Sequence, residues 1–221
     1  NLVLSHDLLE GCYARSGLLS EVLLYEQYPN NYLSDVARRS RWIRGDWQLL
    51  NWLKLRVRKA DGSRDKNPLS ALSYWKLFDN LRRSLVAPSL LILLFLTLLW
   101  VPNPVYWLGM LALIWLLPAM LSILYDLLHK PLRRHLKPHL LLVASGALKR
   151  LSGIGLNFAI LPHEAGYSLY AIIVTLWRLG VSQRNLSQWV SHSPDDNQAR
   201  TSVGRFYQAM WLNVVGGVAL T

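Results

Sequence analysis

The segment at residues 38–46 brings together side chains that suit phosphate and sugar chemistry. It reads Arg-Arg-Ser-Arg-Trp-Ile-Arg-Gly-Asp. Arg38 and Arg41 are three residues apart and so share one face of a helix, and their guanidinium forks match phosphate oxygens in a bidentate way. Trp42 and Asp46 are four apart, which places an indole that packs on a pyranose ring beside a carboxylate that accepts from sugar hydroxyls. The alternative is a basic face that is solvated or rests on lipid headgroups.

A carboxylate near the start of the chain is a second candidate. Asp7 follows residues 2–4, which read as the end of a buried strand, and precedes a short helix. Ligands of open α/β sheets lie at the carboxyl ends of strands, where Asp7 can accept a proton as a general base. Glu10, one turn further on, is either a second carboxylate in the same cleft or only a favourable first-turn charge. The alternative for Asp7 is that it or Ser5 simply caps the helix.

Two uncharged apolar stretches predict a membrane hairpin. Residues 85–101 and 105–125 carry no charged side chain, and a span needs about 20 mainly apolar residues. The break between them is only Pro-Asn-Pro, too short for a domain. A third apolar segment begins near residue 204, and we expect it to be the start of a further span.

The net charge of +11 is explained by the ends of this hairpin. Lysine and arginine on both flanks mark the cytoplasmic side, and anionic lipid headgroups are their expected partner. Nucleic acid is therefore not expected as a partner. The flanking cations are Arg82, Arg83, Lys130, Arg133, Arg134 and Lys137. The single cysteine, Cys12, excludes an internal disulfide and fits a reducing compartment.

The other segments predict mostly helices. In chain order they are a strand at residues 21–25, a long helix capped by Ser34 or Asp35, a loop at 60–67, an amphipathic interfacial helix at 70–84, a basic amphipathic helix at 131–150, and a helix that begins at Pro162 and ends at Gly180. His163 and Glu164 do not complete a zinc motif, because position 167 is tyrosine. No metal site is predicted within these residues.

The order of several motifs resembles the cyclic β-1,2-glucan synthases of Gram-negative bacteria. These motifs are Ser-His-Asp-Leu-Leu-Glu-Gly at 5–11, Arg-Arg-Ser-Arg-Trp-Ile-Arg-Gly-Asp-Trp-Gln at 38–48, Asn-Pro-Leu-Ser at 67–70, Trp-Lys-Leu-Phe-Asp-Asn-Leu-Arg-Arg-Ser-Leu at 75–85, Leu-Pro-His-Glu-Ala at 161–165 and Thr-Leu-Trp-Arg-Leu at 175–179. They cover nearly the whole chain in the family's order.

The resemblance implies a glycosyltransferase domain similar to that of processive synthases of the cellulose and hyaluronan type. Their catalytic aspartate carries to Asp7, and their Gln-x-x-Arg-Trp motif carries to Arg38, Arg41 and Trp42, with arginine here in place of the glutamine. It also implies UDP-glucose as donor, a β-1,2-glucan chain as acceptor, and a divalent metal (Mg or Mn) held mostly by residues upstream of Asn1.

The expected architecture is α/β plus transmembrane α-helical. Residues 1–69 are the distal part of a GT-A-like glycosyltransferase domain, 70–84 an interfacial helix, 85–128 the hairpin, 129–203 cytoplasmic amphipathic helices, and 204–221 the start of a further span. We expect part of a longer protein, inactive alone, in the bacterial inner membrane with its catalytic part cytoplasmic and the other domains as partners. Another processive β-glycan synthase, or a non-catalytic membrane scaffold or transport segment, remains the alternative.

Overall fold

The computed structural model describes residues 7–14, 17, 19–25, 29, 31–58, 62–131, 135–186, 203–211 and 213. Within these residues the chain is mostly helical. The elements are α1 (Asp7–Ala14), α2 (Tyr32–Gln48), a 3₁₀ turn (Leu49–Leu53), β1 (Arg56–Arg58), β2 (Arg64–Lys66), α3 (Ala71–Trp100), α4 (Pro104–Leu128), α5 (Leu136–Trp177), a π-helical turn (Arg178–Ser182) and α6 (Val203–Ala209).

Helix α2 begins earlier than the sequence predicts. Asn31 is its N-cap, in an extended conformation, and its side chain accepts a hydrogen bond from the Ser34 amide at 2.9 Å. An asparagine at this position satisfies one of the donors that the first turn leaves unpaired. The expectation that Ser34 or Asp35 caps the helix is therefore wrong. Ser34 is buried inside the first turn, and Asp35 pairs with arginines one turn on.

A small apolar core fixes α1 against the rest of the molecule. Its buried members are Leu49, Leu69 and Leu77. Leu8, Leu9 and Cys12 of α1 pack against this cluster together with Trp52, Leu53 and Tyr74. Burial of leucine-sized side chains stabilises such a contact by about 1.5–3 kcal/mol each. The core thus positions Asp7, the first residue of α1.

The connection from α2 to α3 contains a short hairpin. Strands β1 and β2 pair antiparallel with Arg56 opposite Lys66 and Arg58 opposite Arg64. Part of the predicted loop at 60–67 is therefore strand. Asn67 then closes the hairpin, because its buried side chain donates to the Trp52 and Lys54 carbonyls at 2.7 and 3.0 Å and accepts from the Leu69 amide at 3.1 Å.

Helix α3 joins the predicted interfacial helix and the first apolar span without a break. Ser70 caps it through the Ser73 amide, and it runs 30 residues to Trp100. Trp47 of α2 donates from its indole nitrogen to the Ser84 hydroxyl at 2.9 Å. That contact lies near residue 84, where the amphipathic part gives way to the apolar part.

Helix α5 is also continuous where two helices are predicted. It runs 42 residues through Pro162, so the expectation that Pro162 begins a helix is wrong. Proline removes a donor and crowds the preceding turn, but other groups can satisfy the disturbed backbone. Here the His163 amide donates to the side chain of Asn213 at 2.8 Å.

Among the described residues, three helices are long and apolar enough to span a membrane: Ala71–Trp100, Pro104–Leu128 and Leu136–Ser182. The first two bear out the predicted hairpin, with Asn103 in the left-handed region at its turn. At about 1.5 Å per residue α5 is about 63 Å long, about twice the hydrocarbon thickness of a bilayer. Only part of α5 can therefore lie in the hydrocarbon.

The described residues contain two strands of three residues each, so they do not show the predicted α/β domain. Residues 22–25 carry no regular structure, and Leu24 and Tyr25 are almost fully exposed. A strand needs a paired neighbour and a covered face to be stable, and within the described residues this segment has neither. Residues 2–4, and half of the predicted span at 204–221, lie outside the described residues.

Replacing Asn67 with alanine should destabilise the protein strongly. The change removes the side-chain partner of the Trp52 carbonyl and of the Leu69 amide, and leaves the Lys54 carbonyl with the Tyr74 hydroxyl alone. Each buried group left without a partner costs about 1–3 kcal/mol. We expect the thermal unfolding midpoint, measured in detergent, to fall by several degrees. Asn51→Ala is the matched control, since Asn51 is exposed and its side-chain oxygen accepts from the Lys54 ammonium. Equal shifts for the two variants would contradict the assignment.

Candidate functional site

A cavity of about 1280 Å³ lies between α1, α2 and the three long helices. It is larger than the usual range of about 300–1,000 Å³ for small-molecule sites. Five of the six residues predicted from the sequence line it, namely Asp7, Arg38, Arg41, Trp42 and Asp46. Glu10 is exposed on α1 and is not among the lining residues. The two predicted clusters, far apart in sequence, thus meet at one cavity.

The guanidinium of Arg38 is held in a defined position. Its Nη2 contacts Asp35 Oδ1 at 2.8 Å, and its Cζ lies 4.9 Å from the centre of the Trp42 ring. A cation over an indole face is attracted by the ring's negative potential. Trp42 nevertheless remains 59% exposed. The pair therefore offers a fixed positive charge and an accessible aromatic surface side by side.

Asp46 is oriented by the neighbouring helix. Asn80 of α3 donates from its side-chain nitrogen to Asp46 Oδ1 at 3.0 Å. Both residues line the cavity, and so does Ser84, which accepts from Trp47. Asn80 was not predicted as a site residue. The only local signal for Asn80 as a site residue is its spacing of four residues from Ser84, which places both polar side chains on one face of α3.

An ion-pair network joins α2 to α5. Arg39 contacts Asp35 Oδ2 at 3.0 Å and Glu164 Oε1 at 2.7 Å. Beside it, the Tyr32 hydroxyl lies 2.9 Å from His163 Nδ1. Burial lowers the pKa of Arg39, but Tyr167, the Glu164 hydrogen bond and the charges of Glu164 and Asp35 together raise it. Arg39 is therefore permanently charged and links α2 to α5 through its ion pair with Glu164.

The network contains the residues that sequence reasoning missed. The four-residue spacing of Asp35 and Arg39 is a helical ion-pair signal. Glu164 carries no comparable signal, because its partner lies 125 residues away. Arg39 and Glu164 both line the cavity, so their ion pair also forms part of its wall.

The far side of the cavity is apolar and comes from the membrane-length helices. Val86, Ala87 and Leu90 of α3 line it together with Trp115 of α4 and Leu161 of α5. Trp115 stacks edge-on against Phe158 of α5 at 5.7 Å. The apolar sequence pattern of α4 does not distinguish Trp115 from the other apolar residues of this helix. The cavity therefore has a basic wall on α2, and the long helices contribute these apolar side chains beside polar ones such as Asn80 and Glu164.

Charge in the cavity favours anions. Among the described residues that line it, five are arginines (38, 39, 41, 44 and 83) and three are acidic (Asp7, Asp46 and Glu164). A concave site lined mainly by one sign of charge concentrates ligands of the opposite sign. Arginine also binds the planar oxygen pairs of phosphate in bidentate fashion. Phosphate-bearing ligands fit this wall.

The described residues do not form a metal cage. No group of three histidine, cysteine, aspartate or glutamate side chains comes together in the part of the chain that the structure describes. A divalent cation needs several oxygen ligands, and Asp7 and Asp46 alone do not supply them. No chemical step described below passes through a metal.

Fold and site together define a helical membrane protein with an anion-attracting cavity beside its apolar helices. No family model matches the chain. Over 220 residues the chain is 32% identical to the cyclic beta-(1,2)-glucan synthase NdvB of Rhizobium meliloti (strain 1021). The resemblance to cyclic β-1,2-glucan synthases is thereby confirmed. The match covers 96% of this chain but 7% of NdvB, so the chain spans a small fraction of that relative's length.

Breaking the Arg39–Glu164 contact should loosen the attachment of α2 to α5. For Arg39→Met or Glu164→Gln we expect the free energy of unfolding to fall by about 1.5–3 kcal/mol, the range for hydrogen bonds to charged groups. A double-mutant cycle measures the coupling. Arg82→Gln is the control, since its pair with Asp79 has the same 2.7 Å distance on a more exposed arginine, and such surface pairs contribute little. A coupling free energy near zero would show that the Arg39–Glu164 ion pair does not stabilise the protein.

Proposed function

We propose that this chain is the distal, membrane-proximal part of an inverting glucosyltransferase that extends a β-1,2-glucan from UDP-glucose. The observation that carries the proposal is the meeting of Asp7 with Arg38, Arg41, Trp42 and Asp46 at one cavity. The similarity to the cyclic beta-(1,2)-glucan synthase NdvB supports the product class. The UDP-binding and metal-binding residues of the donor site belong, in this proposal, to a GT-A-like domain upstream.

Asp7 acts as the general base in this proposal. As the acceptor hydroxyl attacks the anomeric carbon of UDP-glucose, its proton passes to the Asp7 carboxylate, the bond from the anomeric carbon to the diphosphate oxygen breaks, and UDP leaves. A single displacement of this kind inverts the anomeric carbon. Asp7 is exposed at the first turn of α1 and lines the cavity, so its carboxylate is accessible. The apolar core beneath α1 holds that turn in place.

Arg41, helped by Arg38, stabilises the departing diphosphate. Charge develops on the leaving group as the glycosidic bond breaks, and positioned guanidinium groups bind it more strongly than the ground state. Asp35 already fixes Arg38 at 2.8 Å, which reduces the entropy lost on binding. The arginine that replaces the glutamine of the related processive synthases thus adds a second positive charge to this wall.

Trp42 and Asp46 bind the acceptor sugar. The exposed indole offers a flat apolar surface to one face of a glucose ring, while Arg38 lies against the indole. Asp46, oriented by Asn80 at 3.0 Å, accepts hydrogen bonds from sugar hydroxyls. The volume of about 1280 Å³ accommodates an acceptor end together with the diphosphate. In this proposal the cavity opens on the cytoplasmic side of the bacterial inner membrane.

Asp7→Asn in the full-length protein should abolish glucan synthesis. An amide cannot take the proton, and general-base catalysis contributes about 10²–10⁴-fold to rate. We expect transfer of radiolabelled glucose from UDP-glucose to fall at least a hundredfold, while binding of UDP stays the same. Glu10→Gln, on the same helix but outside the cavity lining, is the matched control and should retain activity. Polymer synthesis at the wild-type rate by Asp7→Asn would exclude the base and favour a scaffold.

Arg41→Lys should weaken the retention of UDP. A lysine keeps the charge but loses the bidentate fork. We expect the inhibition constant of UDP to rise about tenfold and the rate constant of transfer to fall. Arg64→Lys, on the exposed β2 strand, is the control for loss of a guanidinium elsewhere. Unchanged UDP inhibition in Arg41→Lys would remove this residue from the diphosphate site.

A further inference from the structure

Arg44, one turn beyond Arg41 on α2, has a guanidinium group that the proposed function leaves unused. Its Nε and Nη2 atoms are buried and have no hydrogen-bond partner among the described residues. A buried donor of this kind costs free energy unless something accepts from it. Arg44 also lines the basic wall of the cavity. Arg44 therefore brings hydrogen-bond donors without a partner to the wall of the cavity.

A second arginine lies close to Arg44 at the end of α5. Arg178 begins the π-helical turn, a feature often found at functional sites, and its Nη1 donates to the Asn185 carbonyl at 3.0 Å. Gln48 ties the end of α2 to the same region through the Leu186 carbonyl at 2.8 Å. These two contacts place Arg178 beside the carboxyl end of α2, which carries Arg44. Burial, and then the charge of Arg178, lowers the pKa of Arg44.

Nearby carboxylates do not compensate the two arginines. Asp35 and Glu164 pair with Arg38 and Arg39, and no carboxylate in the described residues is among the groups that act on the Arg44 guanidinium. Two like charges held near each other in a partly buried place repel and are stabilised by a bound anion. Arg44 lines the cavity and Arg178 does not, so the pair lies at the edge of the cavity.

We propose that Arg44 and Arg178 form a second anion site, distinct from the Arg38–Arg41 wall, that binds a phosphate group at the junction of α2 and α5. Phosphate oxygens accept from guanidinium forks in the charge-assisted geometry that both arginines offer. The phosphate belongs either to the headgroup of an anionic lipid or to a soluble phosphate compound. The site goes beyond the proposed function, since none of its residues takes part in glucosyl transfer.

The test uses the full-length protein in the Arg41→Gln background, so that the diphosphate wall of the proposed function contributes as little as possible. Thermal midpoints are measured in neutral detergent with increasing inorganic phosphate, and in nanodiscs of phosphatidylcholine with or without phosphatidylglycerol. In each arm Arg44→Gln and Arg178→Gln are compared with Arg184→Gln, an exposed arginine six residues after Arg178. A ligand that binds only the folded state raises the midpoint.

We expect at least one anion to raise the midpoint, and the arm in which it does so identifies the source. The apparent dissociation constant should rise at least about tenfold in both Arg44→Gln and Arg178→Gln, and stay the same in Arg184→Gln. Without the anion, Arg178→Gln should not lower the thermal midpoint, because it removes a positive charge that repels Arg44. Absence of an anion effect in both arms, or an equal loss in Arg184→Gln, would overturn the proposal. Its failure would leave glucosyl transfer by Asp7 unaffected.

Discussion

The contact of Arg39 with both Asp35 and Glu164 is the interaction on which the described site depends. It joins α2, which carries the predicted phosphate and sugar groups, to α5, one of the three membrane-length helices. The arginine is only partly exposed, so its charge is screened less than that of a surface pair. A helix that was attached only by apolar contacts could slide along its neighbour. The ion pair between Arg39 and Glu164 opposes such sliding, and Asp35 on α2 helps to hold the arginine in position.

The other attachments of α2 follow from that constraint. Trp47 and Asp46 hydrogen-bond to α3, and Gln48 bonds to the carbonyl of Leu186 beyond α5. Each contact is polar and directional, so together they define the rotation of α2 as well as its place. This rotation turns Arg38, Arg41 and Trp42 toward the cavity. A membrane-facing basic helix would not need such directional contacts, which favours the ligand-binding interpretation of the arginines over the lipid-facing one.

The local pattern identified most of the predicted residues that line the candidate cavity, but it predicted only part of the fold. The spacing of Arg38, Arg41, Trp42 and Asp46 is a property of one helix, and the helix formed as expected. Glu164 was not predicted because its partner is defined by packing across more than a hundred residues. The break expected at Pro162 failed for the same reason, since the side chain of Asn213 compensates the disturbed turn. The strand expected at residues 21–25 needs a neighbouring strand that the described residues do not contain.

The division of α2 into two kinds of arginine follows from the same physical reasoning. Arg38 and Arg39 have carboxylate partners at 2.7–3.0 Å, and a paired guanidinium is fixed in place but partly neutralised. Arg44 lacks a carboxylate partner in the described residues, and its neighbour Arg178 adds repulsion. Pairing therefore suits the arginines that maintain the wall, while an unbalanced pair suits reversible binding of an anion. One helix can then both shape a cavity and hold a second ligand at its edge, because successive arginines face different neighbours.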